Sequence, residues 1–215
     1  MTKLFDGFIF DIDGTLTATN RLIYDSFNYI AGKYLDKTFE DEEIHSMFGP
    51  TEDFILKKWC GEKFEQAKEE YYNFYSENHH LAYAYEGMIE ILQYLKSEGF
   101  PLGVFTGKGR RAALITLQMI DAEKYFDLIV TGDDVNNHKP HAEGIIKFVN
   151  HFGFKKERVL MIGDSVSDVK AARDAGVKIA SVLWDSHREE IVKEMGSDYY
   201  FYSVEELKEF LLGTN

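Results

Sequence analysis

The chain is short of cysteine, proline, cationic side chains and long apolar runs, and each shortage removes a class of protein. Its single cysteine, Cys60, cannot close an intrachain disulfide, so no covalent framework of the secreted kind is expected. Three prolines among 215 residues, with no Gly/Ser tract, charge block or internal repeat, leave neither a flexible linker nor a solenoid to look for. No apolar run approaches the roughly 18 residues that a membrane span needs, and 28% of the residues are charged, so a soluble protein without membrane contact is expected. Lys and Arg number 24 against 37 Asp and Glu, a formal charge of -13 that repels a polyphosphate backbone at long range and argues against nucleic acid as a partner. A small anionic substrate is still admissible, provided a metal ion and a few placed cations reverse that field locally. Met1-Thr2-Lys3 runs straight into the strand-like stretch Phe5 to Phe10 without a leader pattern, which makes the cytoplasm the expected compartment.

What is present is a hydrophobic content of 45%, enough for one sizeable core with a small satellite. Phe8-Ile9-Phe10, Leu102 to Phe105, Leu128-Ile129-Val130, Val159 to Ile162 and Ile179 to Val182 are short, apolar and β-rich, the mark of strands buried on both faces. Helical patterns alternate with them from Glu86 onward: Met88 to Glu98, Arg111 to Met119, Ala142 to Phe152, Asp168 to Ala175 and Val204 to Leu212. The alternation predicts an α/β fold, a parallel sheet with helices on both faces and its site at the carboxyl ends of the strands. One stretch interrupts it. From about Asn20 to Ala84 the patterns are helical only (Leu22 to Tyr34, Asp41 to Met47, Thr51 to Trp59, Phe64 to Asn78), so residues 1–19 and 85–215 are expected to form the core and 20–84 a small all-α cap over the site. Tyr71, Tyr72, Phe74 and Tyr75 are expected to pack one cap helix, and His79 and His80 to lie at its hinge or surface, since no partner has zinc spacing.

Four short segments carry chemistry. Asp11-Ile12-Asp13-Gly14-Thr15 follows the first strand directly, and two carboxylates that close suit a hard divalent cation or a pair with separated tasks, one ionised and one protonated. Thr106-Gly107-Lys108-Gly109 ends another strand, where a hydroxyl and backbone N–H groups at a helix start can hold phosphate oxygens; taken without the other segments it is a glycine-rich turn with Lys108, Arg110 and Arg111 as solvated charges. Lys139-Pro140 offers a cation for a phosphoryl oxygen. Gly163-Asp164-Ser165-Val166-Ser167-Asp168 closes a further strand with two more acidic groups; Asp164 then serves as ligand or turn former, Asp168 as ligand or helix cap.

Singly each has an ordinary explanation as a turn or a cap, but in this order, each at or just beyond a strand end, the four resemble the motifs of the haloacid dehalogenase (HAD) superfamily of phosphotransferases. The resemblance spans nearly the whole chain. It implies a Rossmann-like core with Asp11 as nucleophile, forming an aspartyl-phosphate, and Asp13 as general acid and then base. It also implies Mg2+ as cofactor, held by Asp11, the backbone carbonyl of Asp13 and Asp164, with Asp168 supporting the metal shell or Lys139, while Lys139, Thr106 and Gly107 bind the phosphate. Asp13 favours phosphate chemistry, because true haloacid dehalogenases lack this second aspartate. The insert resembles the cap of phosphoglycolate phosphatase-like members, whose relatives include pyrophosphatases and β-phosphoglucomutases. In these a cap loop reads the substrate, and Phe48 with Gly49, Pro50, Thr51 and Glu52 is the matching segment. The Arg-x-x-Ser pattern of sugar phosphomutases is missing from the cap, and His141 replaces a frequent proline in a Lys-Pro-x-Pro-Glu run that keeps Glu143. A hydrolase of a small phosphorylated metabolite, phosphoglycolate-like, acting as a monomer or weak homodimer, is the resulting expectation; inorganic pyrophosphate or a sugar phosphate is the alternative substrate. Glu52, if it faces the cavity, should disfavour carboxylate-bearing substrates. A receiver-like phospho-acceptor module is the rival of another class, opposed by Asp13 and by the helical insert.

Overall fold

The computed structural model describes residues 4–186 and 189–213. Met1-Thr2-Lys3, which bore on the expected absence of a leader, lies outside them. Strand β1 (Gly7–Phe10) leads to a two-residue strand β2 (Thr17–Ala18), then to helices α1 (Asn20–Leu35), α2 (Asp41–His45), α3 (Glu52–Cys60) and α4 (Phe64–Glu77), and to a second two-residue strand β3 (Tyr83–Ala84). Helix and strand alternate from there: α5 (Met88–Ser97), β4 (Leu102–Phe105), α6 (Arg110–Met119), β5 (Leu128–Val130), α7 (Glu143–Phe152), β6 (Val159–Gly163), α8 (Val166–Ala175), β7 (Lys178–Val182), α9 (Glu189–Met195), β8 (Tyr199–Phe201) and α10 (Val204–Gly213).

Six strands form one parallel sheet in the order β5-β4-β1-β6-β7-β8, with Ile9 of β1 in register with Gly103 of β4 and Met161 of β6. Successive side chains of a strand leave opposite faces, and the core divides accordingly. Phe8, Phe10, Leu102, Val104, Leu160 and Ile162 meet α5, α6 and α10, whereas Ile9, Phe105, Met161 and Ile179 meet α7, α8 and α9. Both faces are covered, which is why the strands read as continuous apolar runs. Chain order reverses direction at β1, since β4 lies on one side of it and β6 on the other. That reversal splays the following loops apart and opens a crevice at the carboxyl ends, the usual place for a ligand in such a sheet.

The four helices α1 to α4 bury their apolar faces in a cluster of their own around Phe27, Ile30, Leu56, Tyr71 and Tyr75, joined by Ala112 of α6. Tyr71, Tyr72 and Tyr75 are buried there, while Phe74 stacks on Tyr29 at the surface with ring centroids 4.6 Å apart. The chain leaves the sheet at β2 and returns at β3, and these two pair antiparallel, Thr17 with Ala84 and Ala18 with Tyr83, as a short ribbon beneath the helices.

Three features escape the periodicity. The ribbon is too short to carry a pattern of its own. Strand β8 is an edge strand whose Tyr199 and Tyr200 are only half-buried, and α9 buries only Val192 among its described residues. In the last case packing of Val192, with Met195 beside it, holds a helix that amphipathicity does not announce. Among the described residues no helix is long and apolar enough to cross a membrane.

Candidate active site

Three adjacent strands deliver the polar groups. The Asp11 N–H still donates to Ile162 O of β6 at 2.9 Å, so the first carboxylate sits where the sheet ladder ends. Gly14 then turns the chain away at φ +77°, and a Cβ there would come within 2.5 Å of Asp164 Oδ2, so glycine is required both for the turn and for the close approach of the β6 loop. Thr15 Oγ1 donates to Asp164 Oδ1 at 3.3 Å across that seam. At the end of β4 the buried Thr106 hydroxyl accepts from the Lys108 N–H at 3.2 Å.

Carboxylate oxygens of Asp11, Asp164 and Asp168 lie within 4.8 Å of one another. Lys139, reaching in from the loop after β5, stands 2.6 Å from Asp168 Oδ1 and 3.0 Å from Asp11 Oδ1. The second Asp168 oxygen accepts from the Ser165 hydroxyl at 2.6 Å and the Ser165 N–H at 3.1 Å. This is a capping box, and it corrects the helix-cap reading of Asp168: Ser165 is the N-cap, the helix begins at Val166, and Asp168 is its third residue. The cap therefore does a second job, clamping the carboxylate that anchors Lys139. Burial pushes the Asp11 carboxyl up to about 7 against the attraction of Lys139. Burial, and next the charges of Asp168 and Asp11, drives Asp164 well above the ordinary range. For Lys139, burial lowers the pKa, but Asp11 and Asp168 outweigh it and the net shift is upward. One ammonium facing three carboxylates leaves the cluster short of positive charge.

Asp13 faces another partner. Its two oxygens lie 3.1 and 3.0 Å from Lys108 Nζ, and Oδ1 also accepts from the Thr19 hydroxyl at the foot of α1. Lys108 is the sharpest departure from the sequence reading: it is a buried charge, its side chain 1% exposed, not a solvated one. Its ammonium is also 3.8 Å from Glu52 Oε1 and lies over the Tyr75 ring at 5.3 Å. Burial would depress its pKa, but the net shift is upward because Asp13, Tyr75 and Glu52 surround it. Arg110 and Arg111 do lie at the surface, paired with Asp134 and Glu69. A signal for Lys108 was present, a lysine two residues beyond a strand-end threonine in a loop otherwise made of glycine, in a site overloaded with carboxylates.

Glu52 lines the cavity but is not free to repel a substrate carboxylate. It is buried, its Oε2 accepts the Gly109 N–H at 2.7 Å, and Lys108 answers its charge. Burial raises its pKa, and Lys108 opposes that shift. Thr51 is buried against the core as well: a Cβ on Gly132 would meet Thr51 Cγ2 at 2.5 Å and Gly107 O at 2.6 Å, so only glycine lets the loop after β5 approach the cap so closely. Gly49 and Pro50 are exposed and line the cavity, as do Thr106, Gly107 and Lys139. His79 is buried at the return from α4, its pKa lowered by burial and then by Lys108, whereas His80 is exposed. The cavity between cap and core measures about 510 Å³ and takes in Asp11, Asp13 and Asp164.

A family model of haloacid dehalogenase-like hydrolases matches residues 8–182. The chain belongs to the haloacid dehalogenase-like hydrolases. It is an enzyme of the phosphatase kind that the sequence resemblance implied. Among its relatives, pyrophosphatase PpaX of Halalkalibacterium halodurans is 34% identical over 201 residues, covering 93% of each chain. Pyrophosphatase PpaX of Bacillus cereus is 31% identical over 208 residues, covering 96% of each. In fold the chain is similar to the crystal structure of a predicted phosphoglycolate phosphatase from Haemophilus somnus, with TM-score 0.85 and 21% identity over 98% of this chain and 99% of that one.

Membership of the HAD-like hydrolases implies Mg2+, and the residues present fit it. Asp11 Oδ1 is buried, and the 3.0 Å ion pair with Lys139 leaves it without a hydrogen bond. All the side-chain donors are hard carboxylate oxygens of the kind that Mg2+ selects. Burial above all, and then the neighbouring carboxylates, raises the pKa of Asp11 and of Asp164, and a divalent ion there would favour their ionised forms.

Proposed function

We propose that this chain hydrolyses a small phosphomonoester, a phosphorylated metabolite, through an aspartyl-phosphate on Asp11. The observation that supports this most directly is the division of the two aspartates. Asp11 lies in the cluster with Asp164, Asp168 and Lys139, while Asp13, two residues on, is held apart by Lys108 and Thr19 beneath the cap.

A carboxylate attacking a phosphate dianion must overcome like-charge repulsion. Mg2+, held by Asp11, Asp164 and the Asp13 carbonyl with Asp168 supporting them through Lys139, would supply that neutralisation when bound. Lys139, fixed by Asp168, offers its ammonium to a phosphoryl oxygen beside Asp11, and the Thr106 hydroxyl and neighbouring N–H groups take the others. An Asp11 oxygen forms a bond to phosphorus as the bond to the leaving oxygen breaks, and Asp13 gives that oxygen a proton. Water then attacks the phosphorus, Asp13 takes its proton, and inorganic phosphate leaves with Asp11 restored. The names of the relatives favour a second reading, pyrophosphate as substrate, which uses the same steps with phosphate as the leaving group.

Asp11→Asn keeps the size of the side chain and removes the attacking charge, so phosphate release is expected to fall to near background; turnover within about tenfold of wild type would refute the nucleophile. Asp13→Ala should harm an alkyl phosphate more than p-nitrophenyl phosphate, whose leaving group needs no proton. Activity should vanish on chelation and return with Mg2+, and Ca2+, larger and less strict in geometry, should support it poorly.

A further inference from the structure

The wall that the cap turns to the cavity differs in kind from the core side. Ile23 and Phe27 of α1, Ile55 of α3 and Phe48 of the α2–α3 loop all line it. Phe48 is 40% exposed, leaning on Tyr24 and His45 with centroids 6.2 and 4.9 Å away, so its ring is open to a bound molecule.

Charge on the described lining residues points the same way. Four carboxylates (Asp11, Asp13, Glu52, Asp164) face three lysines and no arginine. Lys139 is committed to Asp11 and Asp168, Lys108 to Asp13 and Glu52, and Lys170 is an exposed residue of α8 on the core side. From the cap come Asn20, Ser46, Glu52 and His45, the last its one candidate cation, whose ring rests against Phe48 and whose Nδ1 is 3.4 Å from the Tyr24 hydroxyl. A second phosphate or a carboxylate seated on this apolar wall would find only the His45 ring as a cation from the cap, Lys170 standing across the cavity on α8, and a polyol seated there would find only Asn20, His45 and Ser46 among the polar cap residues besides Glu52. Leaving such groups unpaired is what a site rejects most strongly.

We infer that the leaving group of the natural substrate is uncharged and largely apolar, aromatic or branched aliphatic, seated on Ile23, Phe27, Phe48 and Ile55. This rests on the phosphatase reading, and it separates the chain in substrate from relatives named for pyrophosphate. A cavity of about 510 Å³ has room for a phosphate and a group of that kind.

The test is kcat/KM with Mg2+ for phenyl phosphate, isoamyl phosphate, phosphoglycolate, glycerol phosphate and pyrophosphate. Acetyl phosphate serves as a small activated substrate that makes little demand on the cap. At least a tenfold preference for the phenyl or isoamyl ester over the charged and polyhydroxyl compounds is expected. Phe48→Ala should lower the phenyl ester's kcat/KM at least fivefold more than that of acetyl phosphate, and Phe48→Arg should shift the ratio at least fivefold toward phosphoglycolate or pyrophosphate. Because Phe48 is partly exposed, both variants should fold, which matching thermal melts would establish. Acetyl phosphate turnover that is lost in Asp11→Asn, combined with a preference for pyrophosphate, phosphoglycolate or glycerol phosphate, overturns the inference alone. So do Phe48 variants that leave the ratios unchanged. No phosphate release from any compound, acetyl phosphate included, overturns the phosphatase reading and the inference with it.

Discussion

Lys108 shows what a single buried charge can organise. It answers Asp13 of the core and Glu52 of the cap at once, so replacing it strands two carboxylates in a low-dielectric seam. Lys108→Met should therefore cost about 3–5 kcal/mol in denaturant unfolding. Adding Glu52→Gln should recover part of the loss, because partners of one buried cluster are not additive; a double mutant no more stable than Lys108→Met would argue against the pairing. Asp11 makes a prediction in pH. Its carboxyl is ordinary at 3.8 in the unfolded chain and about 7 when folded without metal. Between those values the folded protein holds a proton that the unfolded chain has released, so stability falls as pH rises through that window. In EDTA the melting temperature should drop from about pH 4 to about pH 7, with a smaller drop in Asp11→Asn and in excess Mg2+. A melting temperature that rises over this range in EDTA would contradict the shift.

At the scale of the element, α8 couples helix capping to the site. Ser165 caps the helix with its hydroxyl, and the same hydroxyl donates to Asp168, which holds Lys139. Ser165→Ala should cost about 1 kcal/mol in stability, the ordinary worth of an N-cap. Its activity should fall further than that cost explains, by about tenfold, because Lys139 loses its fixed anchor. A variant that loses stability but keeps full kcat would confine Ser165 to capping. This double use was legible only in part: Ser-x-x-Asp at a helix start is visible in the string, but that its aspartate also meets a lysine from 29 positions upstream is not.

Over the whole molecule, cap and core meet along a seam that a few small residues make possible. Gly132 sits against Thr51 and Gly107, Tyr75 of α4 shares a hydrogen bond of 2.8 Å with Thr116 of α6, and Gly109 donates to Glu52. Gly132→Val would drive a branched side chain into the cap loop. Overpacking of this sort costs about 1–3 kcal/mol, and the displaced loop should raise KM more than it lowers kcat. Unchanged KM with the expected loss of stability would mean that the loop's seating does not govern binding.

The sequence by itself determined the sheet of buried strands, the position of the helical insert, and the order of Asp11, Thr106, Lys139 and Asp164 along the chain. These are local matters: apolar runs of strand length, 3.6-residue periodicity and turn chemistry at a strand end are each written within about ten consecutive residues. Tertiary structure alone decided the environment of Lys108 and Glu52. Lys108 taken alone reads as a solvated charge and Glu52 as a loop carboxylate of unknown partner, and they become partners because the chain's reversal at β1 and the close approach at Gly132 bring segments 56 residues apart into one buried seam. The same holds for β8 and α9, whose few buried side chains are chosen by the edge they cover rather than by a pattern of their own. Burial and counter-charge depend on what packs from elsewhere, and no window along the chain contains that information.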